Sequence, residues 1–233
     1  MKKKSEISPE ERKALLRKMV IRFAFFFPVM GVLILLPAGT FNYWQFYVYC
    51  GILMVPMLAV LFHFLKHDPK FLERRSRARE KEKAQVLISV LSSMIFIAGF
   101  VIPGLDKRFG WSTVPYHITI IACVVILLGY LIIFFVFRQN SYASRVIEVD
   151  EEQEVISTGL YGIVRHPMYV GVLIMYIPTP VALGSYWGLI PFALLPLSLG
   201  LRILNEEKVL KENLKGYSEY CLKTRYRLIP YIW

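Results

Sequence analysis

A chain of 233 residues that is 56% hydrophobic and 15% aromatic, with a formal net charge of +11, is too apolar for a soluble domain and reads as an integral membrane protein. Its cations stand in short blocks between apolar runs, the pattern of cytoplasmic loops and not of a nucleic-acid surface, so no nucleic-acid partner is expected. Cys50, Cys123 and Cys221 are odd in number and widely separated, which gives neither a disulfide framework nor a zinc spacing.

Residues 1–19 form a basic arm carrying Lys2, Lys3, Lys4, Arg12, Lys13, Arg17 and Lys18, with a helix start at Ser8-Pro9-Glu10-Glu11. Such an arm is expected to lie on anionic lipid. The first apolar run lacks a small-residue cleavage site and reads as an uncleaved span. Four runs follow within residues 20–137: Val20 to about Ala38, Trp44 to Leu65, Val86 to Leu105 and Val114 to Phe137. Each has the length of a bilayer crossing, which takes about 20 helical residues. Beyond Pro167 come Met168 to Leu183 and Trp187 to Leu204, interrupted by Pro178, Pro180, Pro191 and Pro196 and joined by Gly184-Ser185-Tyr186. The expected architecture is therefore all-α, with about six transmembrane helices, the last two a proline-kinked hairpin.

Charge orients these spans. The 39–43 and 184–186 loops carry none, whereas Lys66 to Lys83 and the tail from Lys208 to Arg227 are rich in Lys and Arg, which places both termini in the cytoplasm. The polar stretch from Arg138 to Pro167 alternates weakly at Ser144–Val149 and Glu154–Ser157 around Asp150-Glu151-Glu152-Gln153, the pattern of a short hairpin or flap. His63 and His67, four apart on one helix face, lack a visible third ligand, and no metal site is expected.

The region 138–233 holds the candidate chemistry. Pro167 suits the first position of a helix, which leaves Arg165 and His166 at a helix N-terminus, where negative charge is favoured. A helical hairpin brings its two ends to one face, so these cations come near Glu206 and Glu207 at its exit. Glu206 follows an apolar helix end, where a carboxylate is costly unless used, whereas Glu207 stands one turn before Lys211 in the order of an ordinary surface pair. The zwitterionic pairing, with tyrosines in the tail, meets the recognition needs of S-adenosylmethionine, although spacing alone does not single it out. If such a site transferred the methyl group of that ligand, Arg225 or Arg227 would orient a carboxylate acceptor by a bidentate pair, and Glu207 would be the nearest candidate base for an amine acceptor.

Three motifs sharpen this. The string G-x-Y-x-x-V-R-H-P-x-Y-x-G at Gly159 to Gly171, E-E-x-x-L at Glu206 to Leu210, and Y-x-x-Y ending in R-Y-R-L-I-P at Tyr217 to Pro230 resemble the isoprenylcysteine carboxyl methyltransferase family, which shares a broader group with phospholipid N-methyltransferases. The resemblance implies S-adenosylmethionine bound at the cytoplasmic face and a lipophilic small-molecule or lipid acceptor arriving from the bilayer, with no obligate protein partner evident. It also implies residue roles. Gln153, Val155, Gly159, Tyr161, His166, Pro167, Tyr169 and Glu206 would bind the cofactor, Glu207 and Arg225 would be catalytic, and Arg202, Tyr217, Tyr220 and Arg227 would meet the acceptor. The tail from Tyr220 to Tyr231 and the R-H-x-x-Y element also resemble sterol reductases, which leaves an NADPH-dependent sterol or isoprenoid reductase as the alternative; a non-enzymatic membrane scaffold is the third.

Overall fold

A computed structural model describes residues 8–76, 83–143, 149 and 153–233. Helix α1 (Pro9–Met30) begins where expected: the Ser8 hydroxyl accepts from the Glu11 amide at 3.2 Å, and the Glu11 carboxylate accepts from the Ser8 amide at 2.8 Å. This reciprocal pair satisfies two of the donors that every helix start leaves open. The helix runs through the basic arm into the apolar run without a break. A π-helical turn at Gly31–Leu35 and the short α2 (Leu36–Ala38) complete it, and Gly39 closes it in the left-handed conformation, φ +64°.

Next come α3 (Trp44–His67), α4 (Pro69–Ser76), α5 (Lys83–Phe109) and α6 (Tyr116–Gln139). After a polar stretch and a 3-10 turn at Gly159–Gly162 come α7 (Pro167–Tyr176), α8 (Thr179–Ala182), α9 (Leu189–Phe192), α10 (Leu195–Asn213) and α11 (Tyr217–Lys223). No strand occurs among the described residues. Of the expected 144–157 hairpin, residues 144–148 and 150–152 lie outside the described residues, and Glu154 to Ser157 carries no regular structure.

Among the described residues, five helices are long and apolar enough to cross a membrane: Glu10–Ala38, Trp44–His67, Gln85–Phe109, Tyr116–Gln139 and Leu189–Asn213. The protein is multi-pass. The run expected at Met168 to Leu183 is a shorter apolar stretch, Pro167–Ala182, whose helix breaks at Ile177-Pro178. Small residues bring this stretch against α6. A Cβ added at Gly129 would lie 2.7 Å from the Met175 amide nitrogen, and one added at Gly171 would lie 2.7 Å from an Ile133 methylene, so backbones touch where side chains would hold them apart. That contact fixes where Pro167 and the start of α7 sit.

The two ends of the molecule differ in kind. At one end, the loops after α2, α5 and α8 meet around Asp106, which is 1% exposed and accepts from the Ser112 amide at 2.8 Å, the Ser112 hydroxyl, and the Ser185 hydroxyl at 2.5 Å. Phe41, Trp111, Tyr116 and Trp187 are exposed there, and the amphipathic Trp and Tyr rings among them suit a membrane–water boundary. The other end carries the motifs.

Candidate functional site

Gly159 sets the first turn of the site. Its φ is +61°, and a Cβ there would meet the Gln139 amide at 2.7 Å; that same amide accepts from the Leu160 N–H at 3.0 Å. Any other residue would be strained at this φ and would collide with the group that holds the turn. Downstream, Pro167 is the first residue of α7, and His166 occupies the preceding cap position.

The tail folds back over this segment. The Arg165 and His166 amides donate to the Tyr226 and Arg227 carbonyls, both at 2.9 Å. The Tyr220 hydroxyl donates to the Tyr161 carbonyl at 2.7 Å, and the Arg165 guanidinium donates to the Thr224 and Arg225 carbonyls, both at 2.9 Å. At the end of α6, the Asn140 amide donates to the Tyr161 phenol at 2.9 Å, and Arg74 of α4 donates to the Ser141 carbonyl at 3.1 Å while lying over the Tyr142 ring.

Between these parts opens a cleft whose empty space, open solvent included, is about 840 Å³. Its wall mixes charges of both signs with aromatic rings. Glu206 receives the Tyr169 hydroxyl at 2.6 Å, and that phenol accepts from Arg202 Nε at 2.9 Å. Tyr161, Tyr217 and Tyr220 line the other side. Burial pushes the Tyr161 phenol up to about 12, and raises those of Tyr217 and Tyr220 too, so all three present neutral hydroxyls at ordinary pH. Among the described residues, the Tyr217 hydroxyl is buried without a hydrogen-bond partner, in a residue 5% exposed. An orphaned hydroxyl of this kind costs stability until something bonds it.

Glu207 lies behind the cleft and not in its wall. Its carboxylate accepts from Arg165 Nε at 2.6 Å and Arg227 Nε at 3.1 Å, and lies 3.3 Å from His166 Nε2. The anion that the Arg165-His166 pair was expected to receive at the helix start is therefore supplied in large part by the chain itself.

Residues 118–216 match the family model described as phospholipid methyltransferase. The match is a similarity of that segment, less than half of the chain. It agrees with the broader group named from the motifs, and the methyltransferase-like segment contains the 3-10 turn, the Arg165-His166-Pro167 element and both glutamates, stopping just before α11. The chain is also similar to the Delta(14)-sterol reductase of Mus musculus, 30% identical over 86 residues, which are 35% of this chain. The match covers only 20% of that reductase's length. Among solved structures, it is similar to that of the eukaryotic intramembrane Ras methyltransferase ICMT (isoprenylcysteine carboxyl methyltransferase), at 18% identity and a TM-score of 0.45, covering 94% of this chain and 87% of that one.

Of the residues expected to bind cofactor, Gln153, Val155, Tyr161, His166, Pro167, Tyr169 and Glu206 line the cleft, as do Arg202, Tyr217 and Tyr220 from the acceptor set. Gly159 stands behind it, against Gln139. Arg227 is drawn to Glu207, and the Arg225 side chain is exposed while its carbonyl holds Arg165. Neither Glu207 nor Arg225 reaches the cleft in the manner expected of them, because one is enclosed by cations and the other points to solvent. Sequence reading missed Asn140, Tyr142, Met168, Leu210 and Leu214 as lining residues. Leu210 and Leu214 were findable, since Arg202, Glu206, Leu210 and Leu214 recur every four residues and share one face of a helix.

Proposed function

We propose that this protein is a membrane-embedded S-adenosylmethionine-dependent methyltransferase acting on a lipophilic acceptor that carries a carboxylate or an amine and reaches the cleft from the bilayer. The observation that carries this reading is the cleft wall itself, with Glu206 opposite a set of tyrosines that includes an unpartnered buried hydroxyl. This donor set fits a ligand that has an ammonium group, hydroxyls and an aromatic base. Glu206 would hold the ammonium or ribose hydroxyls, Tyr161, Tyr217 and Tyr220 would flank the base, and His166 and Tyr169 would meet the amino-acid part. When bound, this cofactor supplies a methyl carbon activated by a neighbouring sulfonium.

The chain's own residues then have little to do beyond placement and exclusion of water. With a carboxylate acceptor no proton moves. With an amine acceptor one proton leaves, and Glu154 and Glu206 are the carboxylates at the cleft placed to take it. Glu207 is assigned to positioning, since its oxygens are engaged by cationic donors. Residues 138–233 would be the cofactor-binding region, residues 20–137 its four-span base, and residues 1–19 a lipid-bound arm. Counting Pro167–Ala182 as a short span closed by a proline-kinked hairpin gives six crossings with both termini cytoplasmic, which the distribution of Lys and Arg supports.

The likeness to the sterol reductase favours a second reading, reduction with NADPH. Phosphates call for cationic donors. Here Arg165 donates to Glu207 and two carbonyls, and Arg202 donates to Tyr169 and Gln85. Equilibrium binding of S-adenosylmethionine and NADPH to detergent-purified protein, repeated with His166→Ala and Glu206→Ala, separates the readings. Binding of S-adenosylmethionine that both substitutions weaken is the expected result. NADPH binding instead would install the reductase, and binding of neither would leave the scaffold.

A further inference from the structure

Gln85 stands at the start of the apolar part of α5, 0% exposed, far in sequence from the motifs and outside the segment that matches the phospholipid methyltransferases. A buried amide at such a place is costly unless both its halves are bonded. Both are, and to one residue. Gln85 Nε2 donates to the Arg202 carbonyl at 3.2 Å, and Arg202 Nη1 donates to Gln85 Oε1 at 3.3 Å. Because guanidinium has only donors, the direction of every later bond is fixed. Arg202 Nε donates to the Tyr169 oxygen at 2.9 Å, and the Tyr169 hydroxyl, its oxygen already engaged, donates to Glu206 at 2.6 Å. A one-way chain thus runs from α5 to the carboxylate at the cleft.

We infer that Gln85 is a positioning residue for the cleft: it helps hold Arg202 away from Glu206, so that the Tyr169 hydroxyl bonds one oxygen of that carboxylate and the other, 4.0 Å from His166 Nδ1, is left to the cleft. Arg202 and Glu206 are one helical turn apart, the spacing at which such a pair joins directly. Without Gln85, the Nη1 donor loses its amide partner and turns to Glu206, neutralising the group that recognises the cofactor and displacing the Tyr169 hydroxyl. The inference rests on the reading that the cleft binds S-adenosylmethionine.

The competing account is that Gln85 only pins α5 to α10. The same helices are joined by a second polar contact, Ser92 Oγ to Ser198 Oγ at 2.7 Å, between residues absent from the cleft wall. Ser92→Ala is therefore the control for pinning. The experiment measures the S-adenosylmethionine dissociation constant and thermal unfolding for wild type, Gln85→Met, Gln85→Glu, Ser92→Ala, Tyr169→Phe and the Gln85→Met/Tyr169→Phe double variant. Gln85→Met is expected to weaken binding about tenfold, the loss of one hydrogen bond to a charged group. Tyr169→Phe should weaken it similarly, and the double variant should add little, because both act on one chain. Gln85→Glu, which keeps an acceptor for Nη1, should recover most of the affinity, and Ser92→Ala should stay within about twofold, as expected of a residue outside the coupled network.

If Gln85→Met is not recovered folded, Gln85→Asn, whose amide stops one methylene short, takes its place with the same expected loss. Equal effects of Gln85→Met and Ser92→Ala on binding, or unchanged binding with lowered stability, would overturn the inference alone. Wild-type protein that binds no S-adenosylmethionine would overturn the functional reading and this inference together.

Discussion

Asp106 and Glu207 are both acids buried to within 2% of complete enclosure, at opposite ends of the molecule. Asp106 is surrounded by neutral donors, the hydroxyls of Ser112 and Ser185 and one backbone amide, and ties loops together where no motif lies. Glu207 is surrounded by Arg165, Arg227 and His166, each carried by a segment that also shapes the cleft. A carboxylate closed by hydroxyls can be satisfied in isolation, whereas one that gathers cations organises every segment those cations come from. The same side-chain chemistry therefore serves as a fastener of loops at one end and as the anchor of the segments behind the cleft at the other.

The largest way to test this contrast is Glu207→Gln. Removing one member of a buried ionic cluster leaves the others uncompensated, at a cost of about 3–5 kcal/mol. Thermal unfolding in detergent should show that loss together with loss of S-adenosylmethionine binding; a nearly unchanged midpoint would mean the cations are held by other means. Asp106→Ala should cost less, about 1–3 kcal/mol for its stranded hydroxyl and amide donors. Its binding affinity should equal wild type, and a parallel fall would break the separation of the two ends.

Tyr217→Phe is predicted to act with opposite signs. Deleting a buried hydroxyl that lacks a partner should stabilise the ligand-free protein by about 1 kcal/mol, while weakening cofactor binding if that hydroxyl is bonded by the ligand. Calorimetry of both states reads the crossover. Arg225→Ala should change stability by no more than about 0.5 kcal/mol, because its side chain is exposed and its carbonyl remains to hold Arg165. A large loss of activity in that variant would restore Arg225 as the residue that orients the acceptor.

Much of this arrangement was legible in the residues. Long apolar runs mark their own crossings, Ser8-Pro9-Glu10-Glu11 marks a helix start, and Pro167 marks another. The proximity of Arg165 and His166 to the glutamates followed from their places at the two ends of a helical pair. Which glutamate faces the cleft did not follow, because Glu206 and Glu207 are neighbours whose directions depend on the rotation of α10, set by packing against α5 and α7. Gln85 was equally hidden, since nothing local distinguishes a glutamine that ends a basic loop from one that begins a site. The break at Ile177-Pro178 was signalled by proline, as was the short run that contains it.

The bonds from the Arg165 and His166 amides to the carbonyls of Tyr226 and Arg227 carry a consequence in time. A chain made from its N-terminus inserts all its long apolar helices before residues 226 and 227 emerge. The growing protein thus passes through a stage in which it is fully anchored in lipid yet has no finished cleft. Its ligand cannot guide the insertion of these helices, and binding competence arrives as a separate, later event.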